Sequence, residues 1–453
     1  MPARASAAPA PPAAGRRLEA DVAVVGGGPA GSTAATLLAR RGWRVVLLEK
    51  EAHPRFHIGE SLLPMNLPIL ERLGVLAQVR AIGTRKHGAD FPRDDGTYSV
   101  FEFRRALGAR VDHAFQVPRA EFDRVLFENA RAAGVDARER TRALAVDLDG
   151  AGGPLLQAQD PDGPLAIRAR MLVDASGRDT FLGGRLGLRR RDRRHGSAAV
   201  FGHYRGVEPR PGAHAGNISI VRHRHGWIWL IPLPGGVTSV GAVCAPEHLQ
   251  ARRGDSETFL LRTLQSAPEA RRRMRGAEAV APVQATGNYS YECARMHGPG
   301  WLLLGDAWTF IDPMFSSGVY LAMHGAQRAA AAVDTALRDP ARGPAAMRAL
   351  ERQLRPGLDE FRWFIHRFAS PAMKRMFAHP RNLLGVEQAV IAMLAGDVFD
   401  NRAVRWRLRL FRVLYALTRL DLAARALAAR RRRPGRRALP GATLDGAPRE
   451  PAA

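Results

Sequence analysis

The first fifty residues follow a pattern typical of a strand, a helix and a second strand. Ala20–Val25 is a short apolar run rich in β-branched residues, which predicts a buried parallel strand. Glycines end that run, Ser32–Arg41 then carries a helical pattern, and Val45–Leu48 is a second apolar run. Because parallel strands need a crossover connection, the segment predicts a βαβ unit that opens an α/β domain.

Beyond this unit the hydrophobic pattern changes several times. Residues 190–290 alternate between apolar and polar positions and are rich in turns, which predicts a second, antiparallel sheet. From about Met347 onward the pattern is helical. The other helical or buried-strand segments are, in order, 122–133, Met171–Asp174, Trp301–Asp306 and 319–337.

The fold class predicted from this order is α/β. A Rossmann-type nucleotide-binding domain is interleaved with a mostly antiparallel β-sheet substrate domain, and a helical C-terminal appendage follows. The predicted units are a disordered lead over 1–17, a nucleotide-binding domain over 18–340 with the substrate domain inserted at about 80–118 and 190–290, a helical region over 341–430, and a disordered basic tail over 431–453.

Composition adds an expected location and an unusual charge. Of the 453 residues 46% are apolar, and no apolar run approaches the ~20 residues that a membrane-spanning helix needs. Cys244 and Cys293 lack the spacing of metal or redox pairs, so a cytoplasmic protein is expected. The formal net charge is +25, yet only three of the 68 basic residues are lysines. A GC-rich genome produces such a skew, so mutational bias explains part of the charge.

The basic excess is concentrated in 401–440, which holds 13 arginines against one acidic residue, Asp421. Arg402, Arg405 and Arg409 recur at helical spacing, which predicts a basic amphipathic helix. A solvated face of an arginine-rich protein is the first interpretation. Docking of an acidic partner such as a carrier protein is the second, and a membrane surface or nucleic acid is the third. No nucleic-acid-binding motif accompanies the segment, so nucleic acid is not expected as a partner.

The glycine turn after the first strand predicts a dinucleotide site. Gly26, Gly28 and Gly31 fit the pattern G-x-G-x-x-G between a strand and a helix. The helix N-terminus supplies free N–H groups and a positive dipole end for phosphates. Glu49 lies 18 residues beyond Gly31 at the end of the next strand, where its carboxylate can accept from a ribose hydroxyl.

Two further strand-end turns distinguish FAD from NAD. They are Val173–Gly177 and Leu304–Ala307, and with the glycine turn they resemble the two-domain FAD fold of the aromatic hydroxylases. The resemblance covers roughly residues 18–340. No second nucleotide fingerprint is present, so reduced flavin is expected from a separate reductase. The predicted cofactor residues are Gly26, Gly28, Ala30, Gly31, Glu49, Lys50, Arg119, Asp174, Gly177, Gly305, Asp306, Asp312, Pro313 and Gly318.

Four further segments along the chain carry short motifs. They are His57–Pro64 with the triplet Gly-Glu-Ser, Arg85–Ala89 with one lysine, Trp227–Pro232, and Phe310–Gly318. Together, and in this order, they resemble the signatures of the flavin-dependent halogenases, which are G-E-S, a catalytic lysine, W-x-W-x-I-P and F-x-x-P-x-x-S-x-G. The resemblance implies FAD and a halide as cofactors, with an electron-rich aromatic substrate that is free or bound to a carrier protein.

The resemblance also assigns roles to individual residues. Lys86 is the expected catalytic residue, because an amine can donate to hypohalous acid or, once neutral, trap the halogen on nitrogen, whereas a guanidinium cannot lose its proton. Ser317 and Gly318 form the expected halide site at a helix N-terminus. Glu60 and Ser61 are expected to couple the flavin and substrate compartments. The expected barrier between those compartments is formed by Trp227, Trp229 and Pro232.

One departure from the tryptophan halogenases indicates the substrate class. Two residues after Pro313 those enzymes carry a glutamate, and this chain carries Phe315. Without that base, a ring that activates itself is expected, which places the chain closer to the phenol and pyrrole branch. Asp312 matches a position that carries a covalent flavin link in some relatives, and the sequence leaves such a link open.

Two other classes of function compete with a halogenase. One is an FAD-dependent monooxygenase or dehydrogenase on the same scaffold, and the other is a non-catalytic flavoprotein that docks a carrier protein. Products that require halide would separate the halogenase from both. No metal site is expected. The pairs His53/His57 and His223/His225 have metal-like spacing, but Pro54 breaks the first pair and no carboxylate accompanies the second.

Overall fold

The computed structural model describes residues 16–192, 196–252, 254–287 and 290–432. Most of the predicted lead and tail therefore lie outside the described residues, apart from the ends of the first strand and the last helix. The strands are β1 Arg16–Val25, β2 Val45–Leu48, β3 Thr84–Lys86, β4 Gly88–Pro92, β5 Tyr98–Glu102, β6 Ala114–Gln116, β7 Asp136–Arg138, β8 Arg142–Asp147, β9 Leu155–Asp160, β10 Gly163–Asp174, β11 Arg189–Arg191, β12 Ala198–Arg205, β13 Ile218–His223, β14 Gly226–Pro232, β15 Val237–Cys244, β16 Glu278–Ala279, β17 Gln284–Thr286, β18 Tyr291–Cys293, β19 His297–Gly298, β20 Trp301–Leu303 and β21 Thr309–Phe310.

The helices are α1 Pro29–Ala39, α2 Leu67–Leu73, α3 Leu76–Ala81, α4 Arg119–Ala132, α5 Phe181–Arg185, α6 Pro246–Gln250, α7 Ser256–Gln265, α8 Pro268–Arg273, α9 Ser317–Arg338, α10 Gly343–Arg367, α11 Pro371–Ala378, α12 Val386–Ala395 and α13 Arg402–Arg432. No helix in the described ranges combines the length and apolarity needed to cross a membrane.

The first sheet is the predicted nucleotide-binding sheet. Its strand order is β19-β20-β10-β1-β2-β7, and β20, β10, β1, β2 and β7 run parallel. The apolar run at the end of β1 is completely buried between β2 and β10, as a central parallel strand requires. Helices α1, α4 and α9 pack together beside it. The predicted α/β class is confirmed.

The second sheet has the order β16-β12-β15-β14-β13-β4-β5, and it is antiparallel except where β13 pairs with β4. Alternation gives each strand two apolar faces. Ile218, Ile220 and Trp229 face the main core, whereas Val221 and Ile228 face a smaller core. That smaller core is closed by α7 and α8, which the turn-rich pattern of 190–290 did not predict. Asp255 begins α7 by accepting from the Thr258 N–H at 2.7 Å.

The C-terminal helices form a layer in which α10 packs on α9 and α13 packs on α11 and α12. Phe377 of α11 packs against Phe91 and Phe101 of the second sheet. Val404, Leu408, Phe411 and Tyr415 recur along α13 and are buried. The opposite side of α13 faces solvent, so this long helix is anchored along one stripe only.

Candidate active site

A large cavity opens at the carboxyl ends of the parallel strands, where ligands bind in open α/β sheets. Its volume is about 820 Å³, and its wall joins the first sheet to β14 of the second. The turns after β1, β2, β10 and β20 all contribute to this wall. A cavity that spans four strand ends has the extent that a long cofactor requires.

The glycine turn has the geometry that the sequence predicts. Gly26 has φ +105°, and a Cβ there would lie 2.3 Å from the carbonyl oxygen of Ala175. A Cβ on Gly31 would lie 1.9 Å from the carbonyl oxygen of Gly26, so helix and turn pack closely. At Gly28 the nearest atom to a Cβ is 3.7 Å away, and the residue lines the cavity. Gly28 therefore leaves room for a phosphate to approach the backbone.

An ion-pair network fixes the cavity wall beside this turn. Glu49 accepts from the Gly27 N–H at 2.9 Å and from Arg55 at 3.1 Å. Arg55 also binds Asp123 at 3.0 Å, and Asp123 is held by two donors of Arg119 at 2.9 and 3.0 Å. The sequence did not identify Arg55 or Asp123, although Asp123 lies one helical turn after Arg119. The network leaves Arg119 buried and rigid at the cavity surface.

Most of the predicted cofactor residues line this cavity: Gly26, Gly28, Ala30, Glu49, Lys50, Arg119, Gly177, Gly305, Asp306, Asp312, Pro313 and Gly318. Two do not. Gly31 packs behind the turn, and Asp174 accepts from the Ser176 and Leu182 N–H groups at 2.9 and 2.7 Å. Because both oxygens of Asp174 are used by the backbone, the structure gives it a supporting role instead of cofactor contact.

Two carboxyl groups line the cavity between β20 and α9. Burial raises the pKa of Asp306 to about 6, although the charges of Arg178 and Arg119 act in the opposite direction. Burial also raises the pKa of Asp312 to about 7, although Asp312 accepts from the Met314 N–H at 3.0 Å. The carboxyl groups offer acceptors for hydroxyl groups, α1 offers free N–H groups, and Gly28 leaves its backbone open to approach. Together these donors and acceptors fit FAD.

Lys86 lies at the end of β3, where it pairs with Ala114 of β6. Its side chain is 1% exposed, and Nζ donates to the Ser61 hydroxyl at 2.7 Å. The Phe103 ring lies 5.5 Å from Nζ. Burial lowers the pKa of Lys86 to about 7, so neutral and charged amine coexist near neutral pH. This is the electrostatic state that both expected roles of the lysine require.

A second, much smaller pocket of about 10 Å³ lies on the far side of Lys86. Ile218 and Ser316 line both the pocket and the large cavity, and Ser61 lines the cavity alone. Lys86 therefore lies in a partition between two compartments and not in bulk solvent. The remaining lining residues of the pocket are Leu63, Ala89, Phe91, Phe103, Ile220, Met314, Phe315 and Leu394.

Phe315 occupies the position where the tryptophan halogenases carry a glutamate. It is buried in this small pocket, and its ring meets Phe368 edge-on at 5.6 Å. Among the residues that line this pocket, Lys86 alone has an ionisable side chain. The other lining side chains are apolar, apart from the hydroxyl of Ser316. The pocket thus offers an aromatic ring no carboxylate base from its lining residues.

The N-terminus of α9 points into the large cavity beside this partition. Ser316 caps the helix with φ +56°, and Ser317 and Gly318 follow as its first residues. All three line the cavity, and a Cβ on Gly318 would meet no atom within 4 Å. The first N–H groups of a helix have no intrahelical partner, so they are available to a small anion.

The tryptophan strand forms another wall of the large cavity. Trp227 and Trp229 line it with their rings 5.8 Å apart, and the indole N–H of Trp229 donates to the Ser239 hydroxyl at 3.1 Å. Pro232 does not line the cavity and lies at the end of β14. The predicted barrier is thus represented at the cavity by its two aromatic members.

Glu60 is paired with a residue that the sequence did not identify. Its Oε1 lies 2.5 Å from Nε2 of His203 on β12, and Glu60 itself is 3% exposed and lines the large cavity. The hydrogen bond with Glu60 raises the pKa of His203. Sequence reasoning missed His203 because β12 is distant in the chain and carries no motif.

Comparisons with known proteins agree with this geometry. The chain matches the family described as FAD binding domain over residues 19–351. It is 29% identical over 408 residues to 1H-pyrrole-2-carbonyl-[peptidyl-carrier protein] chlorinase of Pseudomonas fluorescens. The aligned region covers 84% of this chain and 90% of that protein. It is 36% identical over 318 residues to tryptophan 2-halogenase of Chondromyces crocatus, which covers 69% of this chain and 60% of that protein.

Among solved structures, a myxobacterial chondrochloren halogenase, described as a new variant of FAD-dependent halogenases, matches with a TM-score of 0.74 at 31% identity. The match covers 87% of this chain and 96% of the halogenase. In the described part of this chain, no group of three histidine, cysteine, aspartate or glutamate side chains is placed to hold a metal ion.

Proposed function

Because this chain belongs to the flavin-dependent halogenases, we propose that it uses Lys86 to transfer an oxidised halogen to an electron-rich ring, a pyrrole or a phenol. The observation that carries the proposal is the position of the amine. Lys86 is buried in the partition between the large cavity and the small pocket, and Ser61 on the cavity side accepts its hydrogen bond.

The large cavity would hold FAD, with the predicted residues that line it as its contacts. Reduced FAD, when bound, supplies two electrons with which oxygen converts halide to hypohalous acid. Overall, reduced FAD, O₂, halide, the aromatic C–H compound and one proton give FAD, the aryl halide and two waters. We propose a separate reductase as the source of reduced FAD, because the sequence carries one dinucleotide fingerprint.

The chain's own residues divide the remaining work. The N–H groups of Ser317 and Gly318 hold the halide in the cavity. The Ser61 hydroxyl keeps Nζ of Lys86 at the partition, 2.7 Å away. As an ammonium, Lys86 donates to the oxygen of hypohalous acid; as a neutral amine, it takes the halogen on nitrogen and releases water. Phe91, Phe103 and Phe315 exclude water from the pocket side.

Omission of halide tests this function directly. With a flavin reductase, NADH, oxygen and either a phenol or a pyrrole, the enzyme should form a halogenated product only when chloride or bromide is present. A hydroxylated or desaturated product formed equally without halide would identify a monooxygenase or dehydrogenase instead. Absence of any product, with FAD bound, would favour the non-catalytic flavoprotein.

We further propose that the ring is a pyrrole carried as a thioester by an acidic carrier protein. The Pseudomonas fluorescens relative is named for that substrate. Helix α13 offers a matching surface, because its solvent side carries an apolar stripe at helical spacing. The stripe consists of Trp406, Val413, Leu417, Leu420 and Leu427, each more than half exposed. Ten arginines and one acidic residue, Asp421, occupy the helix, so its charge complements an acidic partner.

Point changes on the stripe test this docking more sharply than truncation. Removal of the chain after Asp400 would also remove the buried face of α13. We expect the double change Val413→Glu and Leu417→Glu to raise KM for carrier-bound pyrrole by about tenfold or more. Each glutamate would place a charge at the centre of the interface, where water is excluded. Turnover of a free phenol should not change. Leu144→Glu, at an exposed leucine of β8, is the control, and equal KM values for both variants would remove the docking surface.

A further inference from the structure

A half-buried arginine on β13 has two buried donor atoms without acceptors. Nε and Nη2 of Arg222 are buried, and no acceptor among the described residues reaches either of them. The guanidinium lies 4.2 Å from the centre of the Phe368 ring. Burial lowers the pKa of Arg222 to about 10, although the charge of Asp94 acts in the opposite direction, so the side chain still carries its charge at neutral pH. Buried donors without acceptors cost stability, and a ligand that accepts from them removes that cost.

Arg222 lies on the strand face that forms the small pocket. Ile218 and Ile220 of the same strand line that pocket with Lys86. Because side chains two residues apart on a strand share a face, Arg222 is the next residue of this row. In the antiparallel register Arg222 pairs with Trp227, which lines the large cavity. Ile218, Ile220 and Arg222 therefore form one row of side chains, which runs from the small pocket beside Lys86 to the guanidinium.

The pocket must enlarge before it can hold a ring. Its volume of about 10 Å³ is close to the minimum for one water molecule. The sheet side is fixed by strand pairing, so the helical layer has to move. Phe368 lies at the joint between α10 and α11, and it packs 5.9 Å from Phe91 and 5.6 Å from Phe315. Displacement of Phe368 by an entering ring would uncover the donors of Arg222.

We propose that Arg222 recognises the substrate by donating Nε–H and Nη2–H to an oxygen acceptor on a substituent of the aromatic ring. The acceptor is an acyl oxygen, either the carbonyl of a thioester or the carboxylate of a free acid. The proposal rests on the halogenase function and goes beyond it, because it assigns a specificity-determining residue. Fixing the acyl group at Arg222 orients the ring against Lys86 and thereby selects the carbon that is halogenated.

Three substrates separate the acyl group from the ring: pyrrole, pyrrole-2-carboxylate and the pyrrole-2-carbonyl thioester of a carrier protein. Since a hydrogen bond to a charged group contributes about 1.5–3 kcal/mol, Arg222→Leu should lower kcat/KM for the acyl substrates by about ten- to a hundredfold. Turnover of pyrrole should stay unchanged. Arg222→Lys should recover part of the loss, and Arg224→Leu, at an exposed arginine of the same hairpin, should show none. A loss confined to pyrrole-2-carboxylate identifies the carboxylate as the acceptor, and a loss for both identifies the shared carbonyl.

Thermal stability distinguishes recognition from simple packing. If Arg222 serves only to anchor Phe368, Arg222→Leu lowers the melting temperature of the FAD-bound enzyme, and all three substrates lose activity in parallel; that result overturns the proposal. Under the proposal, removal of two buried donors that have no acceptor leaves the melting temperature equal or higher. Pyrrole-2-carboxylate should also raise the melting temperature of the wild type and not of Arg222→Leu. That binding readout does not depend on halogenation, so failure of the proposed function and failure of this inference give different results.

Discussion

Replacement of Lys86 by methionine removes a buried amine and leaves an apolar side chain of similar length. The Ser61 hydroxyl is the hydrogen-bond partner of Nζ, and no described carboxylate forms an ion pair with it. The ammonium form is therefore poorly compensated, and the variant should be more stable than the wild type while halogenation is lost. Under the proposed function, stability and activity move in opposite directions, because halogen transfer uses an amine whose burial destabilises the fold.

The pH dependence gives the size of this effect. The pKa of Lys86 falls from 10.5 to about 7 through burial. Between these values the unfolded chain binds the proton and the folded chain does not, so the stability of the wild type rises with pH across that window. By linkage the amine lowers the free energy of unfolding by at most about 5 kcal/mol at pH 6 and about 2 kcal/mol at pH 9. The stabilisation of Lys86→Met should shrink accordingly.

Denaturation of the FAD-bound protein at pH 6, 7.5 and 9 measures this difference, and halogenation assays with a reductase run in parallel. Lys374→Met is the matched control, since Lys374 is an exposed lysine whose replacement should have little effect at any pH. A difference between wild type and Lys86→Met that does not vary with pH would refute the electrostatic reasoning. Halogenation by Lys86→Met would refute the catalytic role.

Three further predictions follow from the two compartments. Gly28→Ala should fold but bind FAD more weakly, whereas Gly26→Ala should fold poorly because its Cβ would lie 2.3 Å from a carbonyl oxygen. FAD titration measures the first effect and circular dichroism the second. Gly287→Ala is the control, since a Cβ there would meet no atom within 4 Å. Gly318→Ala should raise KM for chloride several-fold with normal FAD content, and an unchanged KM would exclude a halide site at α9. Because Glu60 raises the pKa of His203, the pair stabilises the fold fully below about pH 6.5, and the stabilisation is lost as pH rises through the folded pKa. His203→Gln should therefore lose stability mainly at low pH, and an equal loss at pH 9 would contradict this assignment.

The sequence located those residues of the candidate site that belong to a recognisable short motif. The glycine turn and the Ser317–Gly318 pair line the large cavity, and Lys86 lines the small pocket, whereas the residues that contact them come from other elements. The α/β class followed from the same kind of local evidence, since β2 was bounded correctly by its apolar run.

The partners that come from distant elements could not be predicted. His203 forms a hydrogen bond with Glu60, which lies 143 residues earlier in the chain. Arg222 contacts the ring of Phe368, which lies between two of the C-terminal helices. The pattern at Val173–Gly177 indicated a cofactor contact at Asp174, yet its carboxylate binds the turn itself. Polar residues at strand ends can face the ligand or the backbone, and periodicity does not distinguish the two.

Met314 lines the small pocket with Lys86. Under the proposed function this places a thioether where the oxidised halogen is released. When no aromatic ring is present, that sulfur is a nucleophile within the same compartment, and hypohalous acid converts thioethers to sulfoxides with release of halide and a proton. Idle turnover should therefore damage this enzyme at one position first. Peptide mass spectrometry after reaction without aromatic substrate should find the sulfoxide at Met314 ahead of Met373, which is buried in α11 away from either compartment. The lifetime of the catalyst would then depend on how rarely the oxidant is made without an acceptor.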